Sequence, residues 1–231
     1  MDSVFLNENY EIFLLDKLDG IDVLSNQLDS HFNSIFPDIV IHLAAHPGAL
    51  SNADPISNVK VNCLGSMNVI NWCYKNKAKL IFTSSSAVYG SQSSKKINED
   101  FPIKPETIYA ANKIVVENWL KILSRMNNFN WTVYRLFPTY GFGHSHNIYQ
   151  GVVNVFLTQI LKSRKIISKG SLNRERDLIY CIDVATAIIN NLCNQKANQT
   201  IINLGSGTST KIIDIIYSII EIYGYSKNNY D

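Results

Sequence analysis

Residues 79–90 read KLIFTSSSAVYG. Leu80, Ile81, Phe82 and Thr83 form a short apolar, β-branched and aromatic run after a lysine-rich turn, the pattern of a buried strand. Three hydroxyls, Ser84, Ser85 and Ser86, follow where that strand should end. Working outward, residues 39–43 (IVIHL) follow Pro37-Asp38, and residues 131–136 (WTVYRL) follow Asn127-Asn128, so both repeat the pattern. Helical periodicity fills the intervals at about 23–36, 56–76 and 109–126. Strand and helix alternating at this spacing predict a parallel sheet covered on both faces, with ligands at the carboxyl ends of the strands. Residues 10–15 (YEIFLL), entered from the turn Asn7-Glu8-Asn9 and closed by Asp16, read as one more buried strand.

After Leu136 the rhythm changes. A loop rich in Gly, His and Asn leads to a helix at 152–163. A short strand is expected near 165–168, then 177–182 runs into a helix at 183–194. A strand follows at 201–204, and a helix with isoleucines at helical spacing spans 210–223, ended by Gly224. The expected organisation is a first domain at 1–137 and a smaller lobe at 138–231, with a strand near 200–205 returning to the sheet.

The totals exclude several classes. Of 231 residues, 46% are hydrophobic and 17% charged, which suits a folded chain rather than a disordered one. A net charge of +2 offers no electrostatic case for nucleic acid or an anionic membrane. No stretch reaches the roughly 18 apolar residues of a membrane span, and no signal segment opens the chain. Cys63, Cys73, Cys181 and Cys193 show no C-x-x-C spacing, and the three within expected helices or strands read as small buried hydrophobes. A cytoplasmic protein is expected.

The chemistry concentrates in two segments. Tyr109 and Lys113 stand four apart on one helix face. A free phenol ionises near about 10, and a neighbouring ammonium favours the phenolate. The serines after residue 83 can hydrogen-bond the oxygen on which such a tyrosine acts. Either segment alone is commonplace; both, in this order and at a strand end and a helix start, are not.

Together they resemble the extended short-chain dehydrogenase/reductases of the NAD-dependent sugar epimerase/dehydratase kind, over residues 10–223. His42-Leu43-Ala44-Ala45 matches the segment lying along the cofactor, and Asn62 the asparagine of the next helix. Val88-Tyr89-Gly90 sets the register of the serines, and Arg135-Leu136-Phe137 matches the strand before the nicotinamide-facing loop. Arg176 through Val184 resembles R-D-F-x-x-V-x-D-V, and Asn203 through Gly207 another recurrent turn. The resemblance implies a Rossmann-type doubly wound α/β sheet, NAD as cofactor, a nucleotide-linked sugar as substrate and a possible homodimer through the Tyr109 helix. It implies Ser85, Tyr109 and Lys113 as catalytic. It places Asp16, Asp22, Val23, Leu43, Ala44, Ala45, Asn62 and Phe137 on the cofactor with them, and Ser85, Ser86, Tyr109 and Arg176 on the substrate.

Departures from the pattern narrow the reaction. Sugar dehydratases of the family carry Asp-Glu after the catalytic hydroxyl, where this chain has Ser86 and Ala87. Epimerase or keto-reductase chemistry is therefore expected ahead of dehydration. Pro138 replaces a substrate-seating asparagine. His144 and His146 have no third ligand nearby, so no metal site is expected. His46 is expected to line the cofactor. The family's first strand and G-x-x-G-x-x-G loop would lie immediately before Met1, since the first glycine here is Gly20, and much of the substrate lobe would follow the last helix. A non-catalytic homologue keeping only the fold is the competing reading.

Overall fold

A computed structural model describes residues 10–92, 96–143 and 151–224. The first half contains α1 (Leu28–Ile35), β1 (Ile39–His42), α2 (Pro55–Val59), a π-helical turn (Lys60–Gly65) and α3 (Ser66–Asn76). It continues with β2 (Lys79–Ser85), α4 (Ile108–Asn127) and β3 (Trp131–Leu136). Then come β4 (Thr139–Tyr140), α5 (Val152–Ser163), β5 (Glu175–Asp177), β6 (Ile179–Tyr180), α6 (Cys181–Asn190), β7 (Thr200–Leu204), β8 (Ser209–Lys211) and α7 (Ile212–Ile222).

The main sheet has the order β1-β2-β3-β7, with every pair parallel. Side-chain alternation along each strand feeds two cores. Val40, Leu80, Phe82, Trp131 and Val133 face α1, α3 and α4, where Phe32, Ile70, Trp72, Val116 and Leu120 complete the layer. Ile81, Tyr134, Leu136, Ile202 and Leu204 face the other way, onto Val184 and Ile188 of α6. Each fully buried aliphatic or aromatic side chain contributes about 1.5–3 kcal/mol by leaving water. A third core joins α5 to α7 through Phe156, Ile160, Ile212, Ile216 and Ile220. The strand at 200–204 thus returns to the sheet as expected, and α6 roofs it from the far side.

Four expectations need correction. Residues 10–15 form no strand: Ile12, Phe13 and Leu14 are 55%, 45% and 80% exposed. A strand exists through its ladder, and among the described residues none pairs with this segment or with the outer edge of β1, where Ile41 stays exposed. Residues 165–168 are not a strand either. The Gln159 side chain accepts from Ile167 N at 2.6 Å and donates to its carbonyl at 3.3 Å, taking the groups a ladder would use.

The first helix begins at Leu28, not near 23. Asp22 Oδ1 accepts from Leu24 N and Ser25 Oγ from Gln27 N, local bonds that compete with helix formation. Finally, the helical stretch near 56–76 is interrupted by the π turn at Lys60–Gly65, which carries Asn62. His144 and His146 lie outside the described residues.

Candidate active site

The carboxyl end of β2 and the start of α4 meet beside the end of β1. The Thr107 side chain accepts from Ala110 N at 3.2 Å, capping α4 so that Tyr109 stands in its first turn. Ser85 ends β2 and caps the next turn, its Oγ accepting from Ala87 N at 3.2 Å. Gly90 closes that turn at φ +66°, where a Cβ would fall 2.2 Å from the carbonyl oxygen of Lys104. A Cβ on Gly48 would come within 3.1 Å of the Tyr109 ring, so the bare backbone there lets the chain lie against the phenol.

The Ser85 side chain lies beside the Tyr109 phenol and favours the phenolate, yet burial outweighs it and holds the phenol above its ordinary pKa. Lys113 is 2% exposed, and its Nζ donates to the carbonyl of Thr83 at 2.8 Å. That ammonium lies 4.6 Å from the Phe82 ring centroid and 5.5 Å from that of Tyr109. Desolvation lowers its pKa to about 8, opposed by the Glu117 carboxylate and then by Cys63. The ammonium sits on a carbonyl and over the ring face, and desolvation of the phenolate dominates.

Asn62 shapes the end of β1. Its Oδ1 accepts from His46 N at 2.8 Å and its Nδ2 donates to His46 O at 3.1 Å. This clamp leaves Leu43, Ala44 and Ala45 as an exposed apolar strip. Asn58 Oδ1 accepts from both Asn62 Nδ2 (3.0 Å) and Asn112 Nδ2 (2.9 Å), tying the π turn to α4. Its Nδ2 also lies 3.0 Å from His46 Nδ1. His46 is thus held by backbone and ring. Asn58 and Asn112 were not singled out from sequence, although Asn58 stands one turn before Asn62.

The remaining candidates are dispersed. Asp16 Oδ1 accepts from Leu18 N at 2.8 Å, starting a short 3-10 turn, and Lys17 pairs with Asp22 at 3.2 Å. Val23 packs on Gly65, where a Cβ would come 2.5 Å from Val23 Cγ2. Phe137 donates its backbone N–H to Leu204 O at 3.0 Å. Ser86 is half-buried in the turn after β2. Arg176 is exposed on β5, where its guanidinium donates to Glu175 O at 2.8 Å. Its neighbour Asp177 accepts from Ser206 N, Ser206 Oγ and Gly207 N, fixing the turn after β7.

A cleft of about 830 Å³ along the carboxyl-terminal half of α4 is lined by Glu99, Lys121, Arg125 and Gln199 and contains none of the Ser85, Tyr109 or Lys113 side chains. Among the described residues no group of three or more His, Cys, Asp or Glu is placed to hold a metal. No helix among them is long and apolar enough to cross a membrane.

Residues 3–205 match the family described as the NAD dependent epimerase/dehydratase family. The chain belongs to that family. It is 29% identical to the dTDP-4-dehydro-6-deoxyglucose reductase of Escherichia coli, covering 78% of this chain and 57% of the reductase. It is 27% identical to the dTDP-L-rhamnose 4-epimerase of Burkholderia thailandensis, over 96% of this chain and 69% of that enzyme. Among solved structures, the UDP-glucose 4-epimerase of Thermus thermophilus in complex with NAD superposes with a TM-score of 0.81 at 26% identity. That match covers 89% of this chain and 68% of the epimerase. The family's relatives are enzymes of nucleotide-linked sugars, and the parallel sheet with Ser85 and Tyr109 at its carboxyl edge is the Rossmann-like fold they share.

Proposed function

We propose that this protein is an NAD-dependent enzyme acting on a nucleotide-linked sugar, as an epimerase or a keto-reductase. The observation that carries the reading is the placement of Ser85, at the carboxyl end of β2, beside Tyr109 in the first turn of α4, with the Lys113 ammonium 5.5 Å from the Tyr109 ring centroid. The names of the reductase and the epimerases to which the chain is similar all point to carbon 4 of the sugar.

The residues fit the nicotinamide end of NAD. Leu43, Ala44 and Ala45 offer a small apolar strip, and Lys113 has three donors, of which the Thr83 carbonyl takes one. In this reading Lys113, Asn62 and Phe137 border the nicotinamide riboside, while Asp16, Asp22 and Val23 border the adenosine. NAD supplies the hydride acceptor and donor.

Tyr109 moves the proton. Its phenol, which burial raises above the ordinary value, donates to a keto oxygen during reduction. In the oxidative direction its phenolate form takes the proton of the sugar hydroxyl, and Ser85 steadies the oxygen on which the charge changes. Lys113 supplies the positive field that this second step needs. Ser86 contacts the sugar, and Arg176 takes the diphosphate as a charge-assisted partner. Dehydration is disfavoured because Ser86 and Ala87, directly after Ser85, provide no carboxyl to remove a carbon-bound proton or protonate a leaving hydroxyl.

The test is incubation of the intact protein with NAD or NADH and a panel of UDP-, dTDP- and GDP-hexoses and 4-keto-hexoses, with products read by NMR. Inverted or reduced sugar is expected. A dehydrated 4-keto-6-deoxy product would overturn the preference for epimerase or reductase, and absence of any product together with absence of NAD binding would establish the non-catalytic reading.

A further inference from the structure

Three consecutive residues of β2 are bound by three successive turns of α4. Ser85 meets Tyr109, the carbonyl of Thr83 meets Lys113, and Ser84 meets Glu117. Ser84 lies on the same face of β2 as Leu80 and Phe82, which pack toward α4. Its hydroxyl donates to Glu117 Oε1 at 2.6 Å. Glu117 is 1% exposed, and its carboxylate accepts from Arg135 on β3 at both oxygens, at 3.1 Å (Nε to Oε1) and 2.7 Å (Nη2 to Oε2). Arg135 in turn donates to Tyr89 Oη at 2.8 Å, and Tyr89 donates to Asn203 on β7 at 2.7 Å. A fully buried ion pair is a costly way to fill a core, and its geometric demands fix the register of what it joins. Here the pair joins β3 to α4, which carries Tyr109, and the Ser84 hydroxyl on the same carboxylate brings in β2, which carries Ser85.

We infer that Glu117, held by Arg135, is a positioning residue: it locks the carboxyl end of β2 onto α4 and places a negative charge one turn behind Lys113. The inference rests on the catalytic reading of Ser85, Tyr109 and Lys113 above. Around Lys113 stand His42 from β1, Cys63 from the π turn, and Tyr109 and Glu117 from α4, with Arg135 behind Glu117. Of these, Glu117 contributes most toward keeping the ammonium charged against the desolvation that lowers it. His42 is buried and neutral, so it leaves that role to the carboxylate.

The experiment compares the intact protein with Glu117→Gln, Glu117→Asp and Ser84→Ala, after folding is checked by circular dichroism and thermal unfolding. The first readout needs no turnover: NMR titration of isotope-labelled lysine, with the Lys113 signal assigned by Lys113→Arg. Glu117→Gln keeps the shape and removes the charge, so the Lys113 midpoint should fall by about half a unit or more. Glu117→Asp should restore most of that shift. The second readout is turnover. Glu117→Gln should lower kcat about tenfold or more with KM within about twofold, and move the alkaline limb of kcat to lower pH. Ser84→Ala, which removes only the strand contact, should lower kcat and leave the limb in place.

An unchanged Lys113 midpoint and unchanged kcat in folded Glu117→Gln would overturn the inference. Should Glu117→Gln fail to fold, Ser84→Ala with kcat at the wild-type level would do so. An inactive wild-type protein with the expected Lys113 shift would instead refute the catalytic reading while leaving the electrostatic role of Glu117 in place.

Discussion

Tyr109 is half-buried and His42 buried, and the environment moves their proton affinities in directions that can be measured. Replacing Tyr109 by Phe removes the proposed proton carrier and leaves the ring against Gly48. Turnover should fall by about 10²–10⁴-fold, the scale of lost general acid–base catalysis, with NAD affinity retained. Steady-state kinetics beside calorimetric NAD titration check both halves. His42 is 4% exposed, its Nε2 lies 2.9 Å from Ser66 Oγ, and burial followed by the nearby Lys113 charge lowers its pKa to about 3. The unfolded chain binds that proton near pH 6.5 while the folded chain refuses it. Stability from this group is therefore complete above about pH 6.5 and falls by about 1.4 kcal/mol per pH unit as pH drops toward 3. Urea midpoints between pH 7.5 and 4.5 should show the slope, and His42→Gln should flatten it. The joint occurrence of the serine segment and the Tyr109–Lys113 pair drew attention to these residues, and the resemblance to the family singled out Ser85 among the serines. Glu117 escaped notice although it continues the same four-residue step, since an acid in a helix is ordinarily a solvated one and only burial reveals otherwise.

Among the elements, α4 and the π turn at Lys60–Gly65 carry much of the candidate site. Thr107→Ala deletes the α4 cap and should destabilise the protein by about 1 kcal/mol, read from denaturant unfolding. Asn58 is fully buried and joins the π turn, α4 and His46. Asn58→Ala would leave the Asn62 and Asn112 amides short of an acceptor, at about 1–3 kcal/mol. NAD affinity should fall with it, because Asn62 shapes the strip at Leu43–Ala45. Retained stability and affinity would mean that Asn62 holds His46 without help. Helix periodicity located α4, α5 and α7 closely, since their apolar faces repeat regularly. It could not show the π turn, where one helix-like pattern conceals a different hydrogen-bond register. It also extended α1 too early, because Asp22 and Ser25 fold back on their own backbone.

For the whole molecule, binding and stability are linked. If NAD binds the folded chain alone, a concentration about 100 times its Kd adds about 2.7 kcal/mol. For a chain of this size that raises the unfolding midpoint by about 5–10 °C. Differential scanning fluorimetry with NAD and NADP as separate arms measures it, and no shift with either would remove the cofactor from the proposal. The sequence KLIFTSSSAVYG and its neighbouring strands were enough to specify a parallel α/β sheet, and with the Tyr109–Lys113 pair they pointed to its carboxyl edge as the candidate site. Period, turn residues and side-chain type are local properties, and they survive in one dimension. Tertiary structure decided the rest. Residues 10–15 have the composition of a strand and no ladder partner among the described residues. Burial, not a neighbouring cation, sets the direction of the Tyr109 shift. Glu117, Arg135 and Ser84, far apart in the chain, become one network. Pairing, desolvation and ion contact each depend on what the folded chain brings alongside, and no stretch of sequence carries that by itself.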